Sequence, residues 1–84
     1  MEHLVNVGSK CYLVIDHIKA IFPVDSGMVK LLKKAAERSN MIVDLTFGKK
    51  TKSIVLMDSG HVVLTYMSRE RILKKMKGGS SNEG

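Results

Sequence analysis

The sequence has no tryptophan, one proline and a single cysteine, and aromatic residues fill only 5% of its 84 positions. Each shortage removes a class of protein. A lone thiol, Cys11, closes no intrachain disulfide, and no Cys-x-x-Cys or His/Cys cluster offers zinc a set of ligands. An RNA-recognition sheet stacks bases on interleaved exposed aromatics, and none are placed for it. Apolar runs stay far below the ~20 residues of a membrane-crossing helix. Glu2 and His3 stand where the basic start of a secretion signal would be. The expectation is a cytoplasmic protein with no membrane partner.

What the chain has in excess is positive charge. Lys and Arg total 14 against 8 acidic residues, a net charge of +6. The stretch 78–84 is Gly-Gly-Ser-Ser-Asn-Glu-Gly, with one acid and no base, so the charge belongs to the rest. Its composition predicts a disordered tail over 78–84 after a single domain at 1–77. A domain this small buries only ~60–65% of its unfolded surface. With no disulfide or metal to staple it, self-association is the expected source of further stability.

Leu4 to Val7 reads as a short strand ending at Gly8. Tyr12 to Phe22 is rich in β-branched and aromatic residues and reads as one strand stopped by Pro23. Asp25-Ser26-Gly27 supplies helix-start chemistry. Met28, Leu31, Leu32, Ala35 and Ala36 recur at helical spacing and predict one buried face, with Asn40 as a left-handed cap. From Met41 the period changes to two: Met41, Val43, Leu45 and Phe47 share one face, and Ile42, Asp44 and Thr46 the other. Gly48 to Lys52 is polar, Ser53 to Met57 is a strand, Asp58-Ser59-Gly60 fits a tight hairpin turn, and His61 to Met67 returns. These three strands predict an antiparallel meander with Gly48–Lys52 at a hairpin tip. Ser68 then caps a last helix, and Met67 with Ile72 fits a hydrophobic staple. The fold class is α+β: a small antiparallel sheet in the order β-β-α-β-β-β-α, one main helix packed on it, and a short C-terminal helix. One helix cannot readily cover two apolar sheet faces, which again points to self-association.

Catalytic arrangements are missing from the sequence. Asp16 and His17 are neighbours on a predicted strand, so their side chains point to opposite faces. His61 has no nucleophile in a recognisable setting, Cys11 has no activating base, and Gly8-Ser9-Lys10 is too short for a phosphate-binding loop. No enzyme, cofactor, metal or small-molecule substrate is expected.

Basic clusters are the positive signal. Lys49, Lys50 and Lys52 with the Thr51 hydroxyl follow Gly48, a set suited to phosphate oxygens. Lys33 and Lys34, with Lys30, line the outer side of the first helix. Arg69, Arg71, Lys74, Lys75 and Lys77 crowd the last one. The helix dipole accounts for the lysines at its C-terminal end but not for the two arginines at its start. Two helices separated by three strands make no helix-turn-helix.

Several blocks together resemble a known family. Asn-Val-Gly at Asn6–Gly8, Ile-Phe-Pro at Ile21–Pro23, and above all the run IVDLTFGKKTKSIVLMDSGHVVL from Ile42 resemble the RemA family of small bacterial DNA-binding regulators of biofilm matrix genes. The resemblance spans about residues 4–76. It implies a homo-oligomeric closed ring that presents basic residues to double-stranded DNA and activates transcription. On that motif Lys49, Lys50 and Lys52 fall where the family commonly has arginine, and His17 where it typically has another DNA-contacting arginine. Lysines deliver point charges in place of bidentate forks, which favours phosphate over base recognition. The DNA-binding set expected from charge and resemblance together is Lys49, Lys50, Thr51, Lys52, His17, Lys33 and Lys34. The alternative reading is an assembly module whose basic surface meets acidic protein or RNA.

Overall fold

Buried aliphatic residues on both faces place two strands at the centre of the fold. In β5 (Ser53–Met57) and β6 (Val62–Thr65), Val55 and Val63 pair on one face. Ile54 with Leu64, and Leu56 with Val62, pair on the other. Strands covered on both sides read as continuous apolar runs, as these do. The computed structural model describes residues 3–81. The remaining elements are β1 (Leu4–Asn6), β2 (Tyr12–Val14), a 3-10 turn at Ile15–His17, β3 (Ile18–Pro23), α1 (Gly27–Arg38), β4 (Ile42–Leu45) and α2 (Arg69–Ser81). The molecule is an α+β fold.

Two differences from the sequence reading concern pairing. Tyr12–Phe22 is not one strand. The turn at Ile15–His17 breaks it, so β2 pairs with β1 in a small hairpin while β3 joins the main sheet. β-Propensity runs unbroken through the corner, and only the partners on either side reveal it. The meander is also corrected. The main sheet has the order β3-β5-β6-β4, and β4 lies parallel to β6. The turn after Met57 closes β5 onto β6 directly, with the Gly60 amide donating to the Met57 carbonyl at 3.0 Å and Gly60 at φ 96. That pairing occupies the near edge of β6 and leaves its far edge to β4. Gly48–Lys52 is therefore part of an arm crossing the end of β6, not a hairpin tip.

Both sheet faces are covered from within the chain. α1 lies on one, over Ile54 and Val62. The β1–β2 hairpin and α2 cover the other, where Val5, Val7, Val55, Val63, Met67 and Ile72 form the larger core. The expectation that one helix leaves a face bare is thus overturned by the hairpin.

The caps follow local chemistry. Ser26 Oγ accepts from the Met28 amide at 3.3 Å to start α1. At its end Asn40 takes φ 59, with Met41 N–H on the Ala36 carbonyl (2.7 Å) and Asn40 N–H on the Glu37 carbonyl (3.2 Å), a Schellman ending. Ser68 Oγ accepts from the Arg71 amide at 3.2 Å, and Met67 and Ile72 meet in one core. The buried stripe of α1 is narrower than its apolar residues: Val29 and Ala36 are buried, whereas Met28 and Leu31 are 49% and 64% exposed. α2 runs to Ser81; of the tail expected at 78–84, residues 82–84 lie outside the described residues.

Candidate nucleic-acid interface

Backbone geometry at the end of β4 sets the stage. Alternation holds as far as Leu45, then the chain turns: Thr46 is buried and Phe47 is 59% exposed, at φ 53. Asp44 fixes this turn. Its Oδ1 accepts from the Thr46 amide at 2.9 Å and from Thr46 Oγ1 at 2.6 Å. The Thr46 hydroxyl, then its amide, hold the Asp44 carboxyl below its ordinary value of 3.8, with a smaller contribution from the Lys33 charge. Beyond it, Lys49 N–H closes on the Thr46 carbonyl at 3.0 Å, and Lys52 N–H on the Thr65 carbonyl at 2.8 Å. The arm is thereby anchored at both ends, and Lys49, Lys50 and Lys52 stand exposed between them, with Thr51 half-buried.

A buried hydroxyl pair lies beneath the arm. Ser53 Oγ donates to the Met67 carbonyl at 2.6 Å and lies 2.9 Å from Thr65 Oγ1, which accepts from the Met67 amide at 3.2 Å. The Thr65 hydroxyl also lies 3.1 Å from the Met67 carbonyl, so both hydroxyls face that one acceptor. This ties the start of β5 to the exit of β6.

Chain direction brings further residues to this end. The β1–β2 turn has Gly8, Ser9 and Lys10 all at positive φ, 115, 50 and 62 respectively. Ser9 Oγ reaches Tyr66 Oη at 2.8 Å, just past the end of β6. The Lys49 ammonium stands over the Tyr66 ring, 4.5 Å from its centre. Arg69, at the start of α2, places Nη2 3.3 Å from Glu70 Oε2, and its Nε is buried without a hydrogen-bond partner. Glu70 is held below the usual carboxylate range by its own backbone amide and then by Arg69.

The expected site residues therefore divide. Lys49, Lys50, Thr51 and Lys52 form one surface. His17 does not join them within the protomer. It lies beside the far end of β5, where its Nδ1 is 2.8 Å from Asp58 Oδ2 and its carbonyl accepts from the Asp58 amide at 2.8 Å. Four strand steps at ~3.3 Å separate the two ends of β5, about 13 Å. Near His17 an open cleft of about 530 Å³ is lined by Leu13, Val43, Met57 and Val63, with His61 on its rim bonded to Ser59 Oγ at 2.7 Å. Lys33 and Lys34 lie midway along α1, Lys33 half-buried toward Asp44 and Lys34 exposed.

Sequence reading missed the Ser9–Tyr66–Lys49 connection and the His17–Asp58 pair. Both join residues far apart in the chain, and no local pattern marks them. Among the described residues no three His, Cys, Asp or Glu side chains gather as a metal site, and no helix is long and apolar enough to cross a membrane.

Comparison with known proteins adds an independent line. A family model described as extracellular matrix regulatory protein A-like, or RemA-like, matches residues 4–76. A protein of Dictyoglomus thermophilum, named as a candidate regulatory protein, is 36% identical over 80 residues, covering 95% of this chain and 94% of that one. Similarly named proteins of Kosmotoga olearia and Leptospira biflexa are 36% and 31% identical, covering 89% and 96% of this chain and 76% and 86% of theirs. With a family match through nearly the whole described fold and relatives alike over most of their length, the chain belongs to the RemA-like family of regulatory proteins.

Proposed function

We propose that this protein is a non-enzymatic, double-stranded DNA-binding transcriptional regulator that works in the cytoplasm as a homo-oligomeric ring and activates matrix genes. The observation that carries the reading is the anchored arm with Lys49, Lys50 and Lys52 exposed together beside Thr51. Lysine ammonium groups and a hydroxyl suit phosphate oxygens, and contacts of this kind position a duplex more than they read it. Lys33, Lys34 and His17 would join the surface only from further along the protomer or from a neighbouring copy. The family description supports the matrix-gene role.

Two apolar patches support the ring. Leu4 and Tyr12, each 57% exposed, lie on the outer face of the β1–β2 hairpin. Met28 and Leu31 are exposed along α1 and Val24 just before it, and this helix covers the opposite face of the sheet. Two different patches on opposite sides suit head-to-tail contact, which closes into a ring when the rotation allows. Many arms on one ring would multiply weak single contacts.

The test compares Lys49→Ala with Lys50→Ala against a charge-matched pair, Lys19→Ala with Lys30→Ala, in duplex binding at two salt concentrations. The arm variant is expected to lose affinity severely and the salt slope to fall by ~1 per lost phosphate contact, while the control keeps most of its binding. Equal losses would assign binding to diffuse charge. Equal affinity for duplex DNA and for an acidic polyanion of matched charge would favour the assembly-module reading.

A further inference from the structure

We propose that Tyr66 is a positioning residue that fastens the Gly8–Lys10 turn to the lysine arm, and that Lys10 thereby becomes a further phosphate contact of the same surface. The inference rests on the DNA-binding reading and extends it to residues outside the matched lysine motif.

Three contacts converge on the Tyr66 side chain. Its hydroxyl meets Ser9 Oγ at 2.8 Å. Its ring carries the Lys49 ammonium 4.5 Å from the centre. Its edge fills the space that a side chain at Gly8 would need, since a Cβ there would fall 2.5 Å from the ring Cζ and hydroxyl. One ring therefore touches both the β1–β2 turn and the arm. The turn is held in a conformation that side-chain-bearing residues avoid: Ser9 and Lys10 both lie in the left-handed region, at φ 50 and 62. Backbone of this kind persists where its surroundings hold it in place, and it gathers at functional sites. The Cys11 amide closes this turn on the Gly8 carbonyl at 2.9 Å, Tyr66 seats it beside the arm, and the exposed residue it presents is Lys10.

The cation–π contact also bears on the ligand. With the Lys49 ammonium over one ring face, that face is not open to stack on an unpaired base, the mode by which aromatic residues capture single strands. An ammonium held at a fixed place suits a fixed phosphate lattice such as a duplex backbone. Tyr66 thus favours duplex over single-stranded ligand by preorganising a charge.

The test uses the full chain and random-sequence duplex DNA over a salt series, with Lys10→Asn, Tyr66→Phe and Tyr66→Leu. Asparagine tolerates the left-handed backbone, so Lys10→Asn removes charge without adding strain. Lys10→Asn is expected to reduce the salt slope by ~1 per bound protomer. Tyr66→Phe, which keeps the ring and loses the Ser9 bond, should weaken binding about threefold. Tyr66→Leu should weaken it further, about tenfold, and abolish the upfield ring-current shift of the Lys49 ε-methylene in NMR spectra of the free protein. An unchanged slope for Lys10→Asn, where Lys49→Ala with Lys50→Ala made in the otherwise unaltered protein lowers it, would overturn this inference and leave the DNA reading standing. A wild-type protein that binds no duplex would overturn both. If Tyr66→Leu fails to fold, Lys10→Asn and the wild-type Lys49 methylene shift still decide the matter. An unshifted wild-type methylene would remove the clamp.

Discussion

Phe47 keeps a large ring 59% exposed on a backbone at φ 53. For an L-residue that region costs about 1–2 kcal/mol, and nothing buried repays it. Phe47→Gly is therefore expected to leave the urea midpoint unchanged or raise stability by up to ~1 kcal/mol, although glycine also loosens the unfolded chain. A loss of several kcal/mol, as for a core phenylalanine, would show hidden burial. Asp44 makes a second prediction at this scale. Because its folded pKa lies below the ordinary 3.8, its contribution is fully present above that value and is lost as pH falls through the lowered pKa. Acid titration of stability should show this limb, and Asp44→Asn should flatten it, the two proteins converging once pH is below the lowered pKa.

Elements show why some of the fold was legible in the sequence. Ser26, Asn40, Asp58-Ser59-Gly60 and Ser68 act on backbone groups within a few residues, so their roles can be read locally. The lysine cluster was legible because its three charges fall within four residues. The break between β2 and β3, and the place of β4 beyond β6, depend on which strand reaches which edge, and no short window carries that information. The Ser9–Tyr66 bond spans 57 residues and lay out of reach for the same reason. The junction of β5 and β6 offers a test of element-level coupling. Ser53→Ala removes one of the two hydroxyls on the buried Met67 carbonyl, leaving Thr65 Oγ1 on it at 3.1 Å, and is expected to cost about 0.5–1.5 kcal/mol. Ser53→Ala with Thr65→Val should cost less than the sum of the two single changes, as a double-mutant cycle in denaturant would measure.

On the scale of the whole molecule, covering both sheet faces from within changes the argument for assembly. Self-association is not needed to bury the sheet; the proposed ring would instead draw on what the covering layers leave outside. Met28→Glu with Leu31→Glu puts charge on the exposed side of α1 and should reduce the light-scattering mass to that of one chain, with the thermal midpoint changed little. A single-chain mass for the unaltered protein at micromolar concentration would remove the ring altogether. One edge of the main sheet points the same way. On β3, Lys19 sits at a register shift between Ile18 and Ala20, and Pro23 ends the strand, so this edge is guarded against adding a further strand. Association through side-chain patches fits such a molecule better than sheet extension.

The parallel seat of β4 also orders events in time. β5 and β6 meet across a turn of a few residues, so they can zip together early and at small entropic cost. β4 must wait, because the edge of β6 that it uses becomes a defined template only once that hairpin stands. The lysine arm joins β4 to β5; its Lys52 end is fixed by the β5–β6 pair, and its Thr46 end is placed when β4 docks. A chain in which β4 has not yet docked would hold the arm only where Lys52 meets Thr65, and its lysines would take up their common surface when that strand arrives.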